Sequence, residues 1–177
     1  MLAASLQLAD EEGLAAVTMQ AVADRLGVTP MALYRHVANK ADLLDGVVES
    51  ILLEVPLPDP EDPWPDRLGA LARGTRMAAL RHPEVFPLLL QRAGATPGAR
   101  RTRDVVYGAL RDAGLAEDEV VQLERLLATA VLGFAASEAG GRFAAHSAAQ
   151  LDADFARLQD VLAAAVFSAI GGTPPPR

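Results

Sequence analysis

Apolar residues recur at three- and four-residue intervals along most of the chain, which is the spacing of one buried face of an α-helix. Ala, Leu, Arg and Glu are plentiful, whereas β-branched and aromatic residues are sparse. Both features favour helices over strands. The pattern therefore predicts an all-α protein, with short helices in the N-terminal third and longer ones in the remainder.

Helix-start and helix-stop residues divide the N-terminal third. The first predicted helix ends near Glu12, and the second begins at Thr18, whose hydroxyl can cap free backbone N–H groups. Gly27 allows the left-handed backbone of a tight turn. Thr29-Pro30 is a capping residue followed by a proline at the first helical position, and Asn39 caps a fourth helix. Two short helices around a glycine turn form a helix-turn-helix, which places its second helix in the DNA major groove.

Five prolines between residues 55 and 65 exclude a helix and favour an extended connector. We expect three parts: a helix-turn-helix domain over 1–54, a proline-rich connector over 55–65, and a C-terminal helical domain for effector binding and dimerisation over 66–177. The helices predicted after the connector cover residues 66–81, 84–92, 97–113, 117–139 and 148–170.

Composition limits the function. The formal net charge is −7, and residues 1–54 hold three Lys/Arg against eight Asp/Glu, a net of −5. Nucleic-acid binders usually carry a basic surface, but all three cations lie in or beside the motif, whereas most of the acids lie outside it. The chain has no Cys, which fits a cytoplasmic protein. We recognise no run of membrane-spanning length and expect no membrane partner.

The apolar pattern is already under way at residue 2, whereas natural chains usually place several polar residues before the first helix. We therefore expect a short basic arm to precede the start of this sequence. An in-frame stop codon directly upstream of Met1 would contradict this expectation.

The run from Leu14 to Ile51 resembles the DNA-binding domain of the TetR family of bacterial transcriptional regulators. Residues Leu26 to Leu44, which contain Leu-Tyr-Arg-His-Val-Ala-Asn-Lys, are especially similar to the tetracycline-repressor branch. The resemblance implies a set of DNA contacts at Thr18, Gln20, Thr29, Pro30, Met31, Ala32, Tyr34, Arg35, His36 and Lys40.

The resemblance also implies roles for these residues. Tyr34, His36 and Lys40 are expected at the phosphate backbone, and Arg35 at a guanine edge, which a guanidinium can bind through two hydrogen bonds. The tetracycline repressor has Arg and Gln where this chain has Gln20 and Pro30. The operator of this chain is therefore expected to differ from that of the tetracycline repressor.

Plainer interpretations stay open for several of these residues. Tyr34 could pack on the fourth helix, Arg35 could contact phosphate only, and His36 and Lys40 could be solvated surface residues. His82, before Pro83, is interpreted as a helix-ending residue. The basic run at residues 100–103 is interpreted as a solvated face, with contact to an anionic effector or to the other domain as the alternative.

The apolar residues of the C-terminal helices predict a ligand pocket and a contact between two subunits. Their larger apolar residues are expected to line an effector pocket at Trp64, Met77, Phe86, Leu89, Tyr107 and Phe134. The apolar spacing of the last two helices predicts a two-fold dimer interface at Leu127, Val131, Leu151, Phe155, Leu158 and Leu162.

No catalytic motif is present, and neither His82 nor His146 stands in the context of a tetracycline–magnesium site. We expect no enzyme activity, no metal and no cofactor. The predicted function is a ligand-responsive, DNA-binding transcriptional regulator. We expect it to be a repressor that a small apolar effector releases from a palindromic operator. The fourth helix is expected to transmit the effect of the ligand to the DNA-binding domain. The alternative is a helical ligand-binding protein whose DNA-binding domain no longer functions.

Overall fold

The structure, a computed structural model, describes residues 1–91 and 96–172. Within those two ranges it is all-α and contains no strand. The helices are α1 Leu2–Glu12, α2 Met19–Leu26, α3 Pro30–Leu33, α4 Lys40–Glu54, α5 Trp64–Arg81, α6 Pro97–Asp112, α7 Glu117–Ala139 and α8 Ala148–Ala169.

Residues 1–54, which we call the head, form a small helical layer in which α1 packs against α4 and α2 against α3. Val22, Leu33, Leu43 and Val47 are among its buried side chains. Gly27 adopts φ 67°, so the predicted left-handed turn between α2 and α3 is confirmed. This packing fixes the outward direction of α3.

The helix starts match the predicted caps with one exception. Thr18 Oγ1 accepts a hydrogen bond from the Ala21 N–H at 3.1 Å, and Asn39 Oδ1 accepts one from the Asp42 N–H at 3.0 Å. Thr96 likewise accepts one from the Ala99 N–H at 3.2 Å. Thr29 occupies the N-cap position of α3, as predicted, but its side chain makes no cap hydrogen bond. Its hydroxyl is consequently available for another partner.

Other element bounds also differ from the prediction. The helix expected from Asp66 begins at Trp64, because Pro65 fits the first turn of a helix, where its missing N–H has no intrahelical partner. Within the predicted helix 84–92 the structure has a 3-10 segment, Phe86–Leu90, and Arg92 lies outside the described residues. Pro87 removes a donor there and favours the tighter turn.

The C-terminal helices pack around α5, which contacts α6, α7 and α8. An ionic cluster joins three of them: Arg76 of α5 donates to both carboxylate oxygens of Glu138 of α7 at 2.6 Å and to Asp152 near the start of α8 at 2.8 Å. The Glu138 side chain is only 6% exposed. This cluster, rather than apolar packing alone, connects α5, α7 and α8 at that end.

Among the described residues one helix, α7, is long and apolar enough by length and composition to cross a membrane, although we expected no such run. Core helices of soluble proteins share this property. Here α7 packs against α5 and α6, and Glu138 and Glu124 on it pair with arginines of those two helices.

The head and the C-terminal helices share one apolar core. Val55, Leu71, Ala79, Phe86 and Ala135 belong to the same buried cluster as the residues of α1 to α4. A second, smaller cluster lies around Leu110, Val120 and Val166 at the opposite end. A change among the C-terminal helices can therefore reach α4 through continuous packing.

Candidate nucleic-acid interface and cavity

The outer face of α3 carries the side chains that were predicted to contact DNA. Met31 is 72% exposed and Tyr34 is 49% exposed, whereas Leu33 and Val37 are buried against the rest of the head. The Leu33 carbonyl accepts hydrogen bonds from the N–H groups of His36 and Val37, so helical geometry continues past the end of α3. Tyr34, Arg35 and His36 are therefore held on the outside by the burial of their neighbours.

The ten predicted DNA contacts lie at the solvent-facing surface of the head. Eight are exposed, and Pro30 and Ala32 are half-buried at the base of α3. Gln20 donates a hydrogen bond to Asp24 at 2.7 Å, which holds its amide along α2. No DNA is present in the structure, so the individual contacts stay predictions.

The three cations of the head are not equivalent. Arg25 is paired with Glu11 of α1. Arg35 and Lys40 have no ion-pair partner within residues 1–91 and 96–172. Lys40 stands at the first position of α4, where the positive end of the helix dipole favours an anion. Although the head is acidic overall, its unpaired positive charge lies beside the exposed face of α3.

A cavity of about 850 Å³ lies among the C-terminal helices and beneath α4. Its wall is mainly apolar, with Leu68, Leu71, Val106 and Leu132 among the lining residues. Its size is within the range of pockets that take drug-sized ligands. Side chains of α4, α5, α6, α7 and α8 line it, so it extends beyond the helices between residues 66 and 139 that were expected to form it.

The structure brings two of the six predicted pocket residues, Trp64 and Leu89, to this cavity. Phe86 is instead buried in the core, because the 3-10 segment turns it inward. Met77 is exposed on the far side of α5. Phe134 stacks with Phe143 and Phe155, and Tyr107 lies under the guanidinium of Arg111.

Two family models match the chain: Bacterial regulatory proteins, tetR family, over residues 1–47, and Tetracyclin repressor-like, C-terminal domain, over residues 57–170. The chain belongs to the TetR family. Members of this family are transcriptional regulators rather than enzymes.

Individual relatives agree with the family models. The chain is 32% identical over 160 residues to the HTH-type transcriptional repressor DrrR1 of Streptomyces coeruleorubidus, covering 88% of this chain and 58% of that protein. The chain spans about three fifths of the length of the first curated relatives that it matches.

Two solved structures of the TetR fold illustrate the likeness. BioQ with its double-stranded DNA operator superposes with a TM-score of 0.75 and 31% identity, covering 92% of this chain and 95% of that one. ActR of Streptomyces coelicolor in complex with actinorhodin superposes with a TM-score of 0.81 and 25% identity, covering 96% of each chain.

The residues predicted for the dimer interface of this TetR-family chain point mostly into the protomer. Leu127 and Phe155 are buried within the chain and are not available to a partner. Val131 and Leu162 line the cavity together with Leu127, and Leu151 and Leu158 are half-buried. Leu127 and Phe155 thus pack within the subunit, whereas a subunit contact at Val131, Leu151, Leu158 and Leu162 stays a prediction.

The same two helices also expose apolar and small residues beside the predicted interface positions. Leu126 of α7 is 66% exposed and Val161 of α8 is 53% exposed. Thr129 of α7 and Ala165 of α8, one helical turn farther along from them, are exposed as well, and an added Cβ at Gly133 would meet no atom within 4 Å. We call this surface, made of these five residues, the α7–α8 face.

Polar contacts connect the head of this TetR-family chain to its C-terminal helices. Glu49 of α4 accepts a hydrogen bond from the Gly98 N–H at the start of α6, at 2.6 Å. A Cβ at Gly98 would lie 3.0 Å from both Glu49 Oε2 and Leu52 Cβ, so this close approach of α6 to α4 favours glycine. Arg101 also donates to the Leu53 carbonyl at 3.2 Å.

His82 makes a second connection and does more than end α5. Its buried ring places Nδ1 2.8 Å from Asp10 of α1 and Nε2 3.2 Å from Glu54 of α4. Partial burial raises the pKa of Glu54, but hydrogen bonds from Arg81 and His82 outweigh it, so that pKa lies below its ordinary value.

Sequence reasoning missed the pairing of Glu49 with Gly98 and the two carboxylates around His82. The partners are 49, 72 and 28 residues apart in the chain, so no local spacing announces them. The basic run at 100–103 was interpreted as solvated. In the structure Arg101 contacts α4, and Arg103 lines the cavity and pairs with Glu124 at 3.6 Å.

Proposed function

We propose that this protein is a ligand-responsive transcriptional repressor that binds a palindromic operator as a homodimer in the cytoplasm and is released by a small, mainly apolar effector. The division into a head over 1–54, a connector over 55–65 and an effector and dimerisation domain over 66–177 is part of this proposal. The relatives named above support it, because one is a repressor and one was solved with operator DNA.

The observation that carries the DNA-binding part is the exposed surface of the head. Tyr34, Arg35 and Lys40 are exposed together, and the two cations have no ion-pair partner among the described residues. A head that had lost its function would have no reason to keep unpaired cations and an exposed tyrosine beside α3.

The test is selection from a random pool of duplex oligonucleotides, followed by titration of the enriched sequence at a fixed salt concentration. Arg35→Ala should weaken binding to that sequence about tenfold, since a bidentate arginine–guanine pair supplies 1–3 kcal/mol of discrimination. Arg157→Ala, an exposed arginine on α8, is the matched control and should leave binding unchanged. Absence of any enriched sequence would refute the proposal.

A single α3 reads too few base pairs to find one site in a genome, so the proposal requires a two-fold dimer. We assign the subunit contact to the α7–α8 face, because its apolar and small residues let two helix pairs pack closely. Val161→Glu should therefore give monomers by sedimentation. Leu57→Glu, the same kind of change at an exposed position of the connector, should stay dimeric.

The cavity carries the effector part of the proposal. A ligand releases DNA only if it favours the conformation that cannot bind the operator, and a nearly complete shift requires roughly 5 kcal/mol of differential affinity. The wall of the cavity includes Val48 and Leu52 of α4 and Ala99 of α6, which flank the contact between Glu49 and Gly98. An occupant that displaces α6 would therefore strain this contact and turn α4.

A further inference from the structure

Two hydrogen-bond donors from different helices meet at one spot on the cavity wall. Gly69 of α5 lines the cavity, and a Cβ built there would lie 3.1 Å from Arg73 Nη1 and 3.4 Å from Gln159 Nε2. A guanidinium of α5 and an amide of α8 thus converge on the space that this glycine leaves open. We call the three residues the Gly69 niche.

Both nitrogens of the niche have donor capacity to spare. Gln159 Nε2 donates one N–H to the Gly69 carbonyl at 3.0 Å, which orients the amide and leaves its second N–H unused. Arg73, which is exposed to solvent at the edge of the cavity, has no ion pair within residues 1–91 and 96–172. Arg103, the other arginine of the cavity wall, is paired with Glu124.

The surroundings do not favour a simple inorganic anion as the ligand of the niche. Four carboxylates line the cavity as well as its two arginines, namely Asp45, Asp66, Glu124 and Asp160. The rest of the wall is mainly leucine, valine and alanine, which favours an apolar body. The niche is therefore suited to orienting one acidic oxygen of a ligand whose affinity comes mostly from apolar contact.

We propose that Arg73 and Gln159 bind the carboxylate of an amphipathic organic acid, whose apolar body extends along the cavity towards Leu71 and Leu132. This inference rests on the proposed function, since it names the chemical class of the effector for the same cavity. One carboxylate oxygen would accept from the Arg73 guanidinium and the other from the free N–H of Gln159.

A matched pair of fluorescent probes tests the niche. 1-Pyrenebutyric acid and 1-pyrenebutanol share the apolar body and differ in the carboxylate. The wild-type protein should bind the acid more tightly than the alcohol. Arg73→Gln should weaken acid binding about tenfold, the order expected for a charge-assisted hydrogen bond, and change alcohol binding less than about twofold. Arg157→Gln, which removes an exposed arginine from α8, should change neither.

Gly69→Ala provides a second variant that removes no charge. Its methyl group would occupy the meeting point of the two donors, and the flexible end of Arg73 can move to accommodate it. Acid binding should fall while alcohol binding and the thermal midpoint stay near wild type. This outcome separates a role in ligand contact from a role in folding.

Four results would overturn the inference, and the last of them also overturns the effector part of the proposed function. The first is an equal loss of affinity for both probes in Arg73→Gln, which would show that the arginine supports the shape of the cavity and does not bind the carboxylate. The second is unchanged acid binding in both variants. The third is tight binding of the alcohol but not the acid to wild type, which would leave the effector cavity intact and refute only the acidic class. The fourth is that neither probe binds wild type, in which case the effector part of the proposed function fails as well.

Discussion

The head and the helices around the cavity are stabilised in different ways. The head is a closely packed layer of buried leucine and valine side chains whose ion pairs lie at its surface. The C-terminal helices enclose about 850 Å³ of space and are joined by buried arginine–carboxylate contacts such as that of Arg76 with Glu138. The head therefore depends on close apolar packing, whereas the C-terminal region has fewer apolar contacts around its cavity and depends more on buried ion pairs.

The largest effect that we predict concerns the ionic cluster of the C-terminal region. Arg76→Met leaves the Glu138 carboxylate buried without its partner, which should lower the free energy of unfolding by about 3 kcal/mol or more in urea titrations. Adding Glu138→Leu to Arg76→Met should recover much of the loss. Arg111→Met, which breaks an exposed pair with Glu117, is the control and should change the titration little. Similar losses in the two single variants would show that the burial of Glu138 does not set the cost of losing its partner.

Packing should be less tolerant in the head than at the cavity wall. Leu43→Ala empties a fully buried site and should cost about 3 kcal/mol of unfolding free energy. Leu132→Ala removes a side chain that already borders open space, so it should cost less than half as much. Urea unfolding measures both, and equal costs would mean that the cavity closes in solution.

Helix capping sharpens the comparison inside the head. Asn39→Ala removes the hydrogen bond that Asn39 accepts at the start of α4 and should destabilise by about 1 kcal/mol. Thr29→Ala removes no cap bond, so the thermal midpoint should stay close to wild type. A loss of operator affinity in Thr29→Ala without a loss of stability would agree with its predicted contact to DNA.

The smallest effect concerns the junction of the two regions and appears only in acid. Because the folded-state pKa of Glu54 is lowered, its contribution to stability is complete above its ordinary pKa and is lost as the pH falls through the folded value. The stability difference between wild type and Glu54→Gln should therefore be constant near neutral pH and shrink below about pH 4. Glu61→Gln in the connector serves as the control. A difference that grows in acid would reverse the sign of our argument.

The sequence predicts the head better than it predicts the C-terminal region. Local signals such as Thr18, Gly27, Pro30 and Asn39 act within a few residues, so the head and its exposed residues could be predicted in place. The cavity depends on contacts between residues far apart in the chain. Phe86 was assigned to the cavity for its size, but the turn caused by Pro87 buries it in the core.

The α7–α8 face is a second part of the molecule that the sequence alone did not predict. Helical spacing marks which side chains turn inward together, but it does not distinguish burial within a subunit from burial between two. Leu127 and Phe155 were therefore assigned to the interface, whereas Leu126 and Val161, each one residue before a predicted interface position, are the exposed ones.

The ring of His82 has a mechanical consequence for α4. It fastens the C-terminal end of that helix, at Glu54, to α1 and α5, whereas Lys40 lies at the opposite end. Fifteen residues at about 1.5 Å each make α4 a lever arm of about 22 Å. A tilt of about 5° around this pivot would move Lys40 by about 2 Å. In a dimer, opposite tilts of the two α4 helices would change the distance between the two α3 helices, which would then no longer match the spacing of successive major grooves.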